Sequence, residues 1–191
     1  ASDVYKRQVL SLSSVGSLNQ DLSPGVFVVI NQYVDFTKNR ITTFFDDDIV
    51  VHVSMATPTD ERLMEISKAC LEKLDIKYNF GGSYICIEGP QFSTKKESRL
   101  FQKWGCDVIG MTSMPEAKLC REASLRYVNI GMVTDFDCWH PDHENVEVSN
   151  VISTLKGNSE YAKKFILEFL LDYSKSTIKN KLNSYDSLVT T

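Results

Sequence analysis

Residues 9–18, VLSLSSVGSL, set apolar side chains among small polar ones and read as a strand. Val26 to Ile30 follow a Pro-Gly turn as a short β-branched run, a second strand. In TPTDERLMEISKACLEKL, Leu63, Ile66, Cys70 and Leu74 recur at steps of three and four, which predicts an amphipathic helix with Pro58 near its start. SYICIEGP predicts a strand stopped at Gly89-Pro90, and Thr94 with Glu97 forms a capping box for a helix through Trp104. CDVIGM is a further strand, Pro115 opens a short helix through Ala123, and RYVNIGMVT is the next strand. A last helix carries Ala162, Phe165, Ile166, Phe169 and Tyr173 as one apolar stripe. Strands and helices thus alternate, which predicts an α/β fold in one domain.

Composition narrows the function classes. The 191 residues are 42% hydrophobic and 24% charged, ordinary values for a globular protein, and leave little room for a second domain. A net charge of −4 argues against nucleic acid or an anionic membrane as the main partner. No apolar run reaches the roughly 20 residues that span a bilayer. No apolar stretch with a cleavage site follows Arg7, so a secretory leader is not expected. The five cysteines are odd in number and scattered, and read as reduced thiols of a cytoplasmic protein. Residues 1–8 lack an initiator Met and run into the first strand without a turn signal. They are expected to be a non-native junction, with 9–175 the C-terminal part of a longer domain and 176–191 a polar tail.

The densest chemistry is TDFDCWHPDHE, Thr134 to Glu144, at the carboxyl end of a buried-looking strand, where open α/β sheets bind ligands. In an extended stretch Asp135 and Asp137 would share a face. Cys138, His140 and His143 could instead belong to a non-catalytic or metal-binding α/β domain, but Pro141 resists a helix that would aim both rings at one ion, and no metal is expected.

Four segments in order, GSL (16–18), IEGPQFSTKKES (87–98), WGCDVIGMTSMPEAKLCREA (104–123) and TDFDCW (134–139), resemble the trimeric purine nucleoside phosphorylase family, in particular its branch acting on S-methyl-5'-thioadenosine. The likeness runs from about Leu10 to Phe165. It implies a mixed, partly barrel-like sheet flanked by helices, incomplete at the N-terminus, and a homotrimer in the full-length parent. It also implies a pentosyltransferase of purine and methionine salvage, with inorganic phosphate as co-substrate and no cofactor. By the resemblance Asp135 is the acid at purine N7 and Asp137 lies near the N7 and exocyclic amino edge. Phe92 lies against the base, Ser93 faces N1, Met111 lies beneath the ribose, and Val148 and Val151 line the 5' pocket. Ser13, Ser14 and Thr112 contact phosphate, although many relatives carry Thr-Ala or Asn-Ala where Ser13 and Ser14 stand. Relatives acting on 6-oxopurines usually carry Asn at the position of Asp135 and Glu at that of Ser93, so both residues favour a 6-aminopurine. Methylthioinosine or a 6-oxopurine nucleoside is the alternative substrate. The family's first phosphate loop and its Arg- and His-containing segment lie upstream of Ser13, so the fragment itself is expected to be inactive.

Overall fold

The computed structural model describes residues 8–45, 49–140, 148–175 and 187–190. Its centre is the strand β8 (Arg126–Asp135), whose residues from Tyr127 to Thr134 are all buried. Such a strand must be covered on both faces. Alternate side chains do this: Tyr127 and Val133 join one core cluster, and Val128, Ile130 and Met132 join another. Along one edge β8 pairs in parallel with β1 (Gln8–Ser17), and along the other it pairs antiparallel with β2 (Phe27–Ile30). Beyond these lie β3 (Gln32–Phe36), β5 (Tyr78–Phe80), β6 (Ser83–Ile87) and β7 (Val108–Gly110), in the order β3-β6-β7-β1-β8-β2-β5. The sheet is therefore mixed, with β7 antiparallel to β1 and the pairs β3–β6, β6–β7 and β2–β5 parallel.

Helices α1 (Glu61–Lys73) and α4 (Val148–Lys175) bury Leu63, Cys70, Leu71, Phe165 and Phe169 against one set of β8 side chains. Helix α3 (Ser113–Glu122) sends Met114, Ala117 and Cys120 into the other cluster, and α2 (Lys95–Lys103) seats Phe101 on Ile85, Ile87 and Ile109. The expected capping box is present: Glu97 N–H donates to Thr94 Oγ1, and Thr94 N–H donates to the Glu97 carboxylate at 2.7 Å. Helix α1 starts later than Pro58, with Asp60 accepting from Leu63 N–H as the cap. In α3, Met114 has extended dihedrals (φ −120°, ψ 133°), so continuous helix begins at Pro115 as the sequence predicts.

Ile166 departs from the expected stripe. It stays 37% exposed because Ala162, Phe165, Phe169 and Tyr173 already form one row at steps of three and four, and Ile166 falls beside it. The short strands β3, β4 (Val50–Val53) and β5 carry no clear period and were not expected. Nor was β9 (Ser187–Thr190), which pairs antiparallel with β4 inside the tail segment.

One loop side chain ties the fold to its cavity-forming end. The Arg40 guanidinium donates to the carbonyl oxygens of Ile87 and Glu88 at the end of β6 and of Met111 and Met114 around the start of α3, and its Nε lies 3.4 Å from the Glu88 carboxylate. The five N–H donors of a guanidinium can serve all of these acceptors at once, whereas an ammonium has only three. Arg40→Ala should cost about 2–3 kcal/mol in chemical denaturation, since it strands carbonyls that the fork satisfied. Arg40→Lys should recover less than half of that loss, and full recovery would show that charge alone matters here.

Candidate active site

The carboxyl ends of β6 and β8 meet β1 and β7 around a cavity of about 190 Å³. Ser14, Phe92, Ser93, Met111, Thr112, Asp135 and Asp137 all line it. Its shape begins with a slip in register. Val15 pairs with Val133 but Gly16 pairs with Asp135, so β8 carries one extra residue, Thr134, at this point. Such a bulge re-aims the side chains that follow it. Thr134 Oγ1 lies 3.2 Å from the Val15 carbonyl oxygen and 2.8 Å from Asp135 Oδ2, which ties the bulge to β1. Gly16 permits the close approach: a Cβ there would lie 3.2 Å from Asp135 Oδ1 and 3.1 Å from Ile109 Cγ2.

The two acids are brought together by a turn, whereas the sequence suggested an extended stretch. Asp137 has φ 25°, a left-handed conformation that Asp tolerates better than most residues. The turn aims the Asp137 N–H at Asp135 Oδ1, 2.9 Å away. Trp139 fastens its far side by donating from Nε1 to the Ser17 carbonyl at 2.7 Å. Burial pushes the Asp135 carboxyl above its ordinary range and the neighbouring Asp137 charge adds to this, while hydrogen bonds from Thr134 and from Asp137 N–H oppose it. Asp137 is 4% exposed, and the hydroxyls of Ser93 and Ser98 point at its carboxylate.

Phe92 stands at the rim, 57% exposed, so it is not a core aromatic. Met111 packs beside Gly89, whose φ of +67° and missing Cβ leave room for the thioether. Thr112 precedes α3 but its side chain does not cap the helix. Ser14 faces the cavity and Ser13, next to it in β1, faces the opposite way, with Oγ 3.3 Å from Asn129 Oδ1. The structure therefore does not bring the Ser13 side chain to the cavity with the others. Val148 and Val151 lie in the first turns of α4, but their side chains fall outside the described residues.

The alternative metal ligands are otherwise engaged. Cys138 Sγ lies 3.2 Å from the Ser93 carbonyl, and the His140 ring stacks on Phe136 at 4.7 Å. His143 lies outside the described residues, among which no group of three or more His, Cys, Asp or Glu side chains could hold a metal ion. Three participants escaped sequence reading: Thr134, Ser98 and Arg40. Ser98 left a faint signal, a hydroxyl three residues before Phe101 on the buried side of α2. Arg40 left none, because its loop has no periodicity.

Comparison with known proteins agrees with this architecture. A family model described as the phosphorylase superfamily matches residues 4–171. An S-methyl-5'-thioadenosine phosphorylase of Rhodospirillum rubrum is 50% identical over 168 residues, covering 86% of this chain and 57% of that protein. One of Koribacter versatilis is 47% identical over 161 residues, 84% of this chain and 55% of that protein. The chain thus spans little more than half the length of these curated relatives. Among solved structures, a methylthioadenosine phosphorylase from an antarctic soil metagenomic library superposes with a TM-score of 0.87 at 40% identity, over 94% of this chain and 63% of that one. The Schistosoma mansoni methylthioadenosine phosphorylase in complex with adenine gives 0.91 at 31% identity, over 96% and 71%. The chain belongs to the phosphorylase superfamily.

Proposed function

We propose that the full-length parent of this chain cleaves S-methyl-5'-thioadenosine with inorganic phosphate, giving adenine and 5-methylthioribose 1-phosphate. The observation that carries the reading is the pair of acids, half-buried Asp135 and buried Asp137, on one cavity with the Ser93 hydroxyl beside them. Cleavage of the glycosidic bond leaves positive charge on the ribose and an electron pair on the departing purine. A carboxyl held above its ordinary range can carry a proton to N7 and neutralise that leaving group, a transfer worth roughly 10²–10⁴-fold in rate. The Asp137 carboxylate offers an acceptor to an exocyclic amine, and would repel the oxygen that a 6-oxopurine has in its place. Phe92 and Met111 supply apolar surface for base and ribose. Val148 and Val151 are assigned to the 5' group by the resemblance, and the names of the relatives support methylthio there.

Ser14 and Thr112 are the proposed phosphate contacts among the lining residues, and Ser13 would contribute through its backbone. Among the described residues no lysine, arginine or histidine lines the cavity, so the phosphate dianion meets no positive charge there. The resemblance carries the proposed homotrimer, and exposed Ile41, Phe44 and Phe45 give apolar surface that assembly would bury. Five free cysteines, four of them buried, support a cytoplasmic setting.

The test is phosphate-dependent release of free base by the full-length parent. Adenine release from methylthioadenosine should far exceed base release from inosine or methylthioinosine, and the reverse order would favour the 6-oxopurine alternative. Asp135→Asn should lower the adenine rate by about 10²-fold or more, with a relative gain for 6-oxopurines. Residues 1–191 alone should fall about 10²–10³-fold or further below the parent, because fixed donors around the phosphate are incomplete.

Stability gives a second check. A carboxyl whose proton is held more tightly in the folded than in the unfolded chain stabilises the fold below its ordinary value of 3.8, and that contribution is lost as pH rises through the raised value. Above the ordinary value of 3.8 that contribution shrinks, so Asp135 supports the fold less at neutral pH than in acid. Asp135→Asn should raise the melting temperature of the parent at about pH 7, and the gain should shrink toward zero near about pH 4. A variant less stable than wild type at neutral pH would contradict this.

A further inference from the structure

We propose that Ser98 is a positioning residue that sets the base preference of the cavity. This rests on the purine reading of the site. Ser98 is fully buried in the first turn of α2 and does not line the cavity, so it acts through its neighbours. Its Oγ makes a short hydrogen bond to Asp137 Oδ2 and lies 2.9 Å from Ser93 Oγ, 3.1 Å from the Thr94 carbonyl and 3.2 Å from Cys138 Sγ. Ser93 Oγ lies 3.0 and 3.2 Å from the two Asp137 oxygens.

The few protons of this cluster decide how it meets a base. Ser93, Ser98 and Cys138 each have one to donate. The Cys138 thiol lies 3.2 Å from the Ser93 carbonyl and donates there. A bond to a carboxylate is stronger than one to a neutral carbonyl, so the Ser98 proton goes to Asp137 in preference to Thr94. With Asp137 already satisfied by Ser98, the single proton of Ser93 is free to rotate from Asp137 to an approaching base. Ser93 then donates to a ring nitrogen that carries a lone pair, as N1 of adenine does. Without the Ser98 hydroxyl, Ser93 is the remaining side-chain donor to a buried carboxylate and must keep its proton there. It then presents an oxygen lone pair to the base, which suits hypoxanthine, whose N1 carries a hydrogen. The same substitution should therefore move the two bases in different directions, which a general loosening of the site would not do.

The experiment is calorimetric titration of adenine and of hypoxanthine into this chain, as wild type, Ser98→Ala and Ser98→Thr, with a melting curve for each. Wild type should bind adenine more tightly than hypoxanthine. Ser98→Ala should weaken adenine about tenfold while leaving hypoxanthine unchanged or tighter, and Ser98→Thr, which keeps the hydroxyl, should return adenine to within about threefold of wild type. Equal weakening of both bases, or an alanine variant that binds adenine like wild type, would overturn the role of Ser98. Wild type binding neither base would overturn the purine reading itself, and the proposal with it.

Discussion

The hydrogen bond from the Asp137 N–H to the Asp135 carboxylate, made possible by a left-handed turn, is the constraint around which this site is built. Two carboxylates repel one another, and burying them together is costly unless each is supplied with donors. Here the backbone supplies one, Thr134 supplies one, and two serines supply the rest. The donors are divided unevenly. Asp137 accepts from the hydroxyls of Ser93 and Ser98, whereas desolvation remains the largest influence on Asp135 and holds its carboxyl above the usual range. Two chemically identical side chains thereby sit in different environments, one whose carboxyl is held toward its protonated form and one whose carboxylate is supplied with hydroxyl donors.

The scaffold exists to hold that turn. Strand β8 is buried from Tyr127 to Thr134, and its bulge at Thr134 falls where burial gives way to the cavity. Gly16 lets β1 pass within contact of Asp135, and Trp139 anchors the far side of the turn to Ser17. The opposite wall is fastened independently by Arg40, which joins the ends of β6 and β7 through their carbonyls. The capping box of α2 fixes the first turn of the helix that carries Ser98. Each wall is thus set by a different local device, and the cavity lies where they converge.

Much of this was legible in the sequence because it rests on local rules. The capping box at Thr94 and Glu97, helix initiation at Pro115, and the buried strand ending at the Asp135–Asp137 segment follow from side-chain period and capping chemistry. What stayed hidden depends on tertiary placement. Arg40 sits in a loop without periodicity, and its partners lie 47–74 residues away in the chain. Ser13 and Ser14 looked equivalent until strand alternation sent one to Asn129 and the other to the cavity. The short strands β3 and β5 are defined by their partners across the sheet, so no pattern of their own announces them. Ile166 was assigned to the buried stripe because spacing gives the direction of a helix face but not the width that the sheet covers.

The role of this cavity turns on whether these two acids meet a purine. A crystal structure of the chain with adenine bound would test this most directly. The expected result is adenine in the cavity beside Phe92, with N7 within hydrogen-bonding distance of Asp135 and the exocyclic amine on the Asp137 carboxylate. Adenine seated elsewhere, or seated in the cavity with neither carboxylate touching it, would contradict the account.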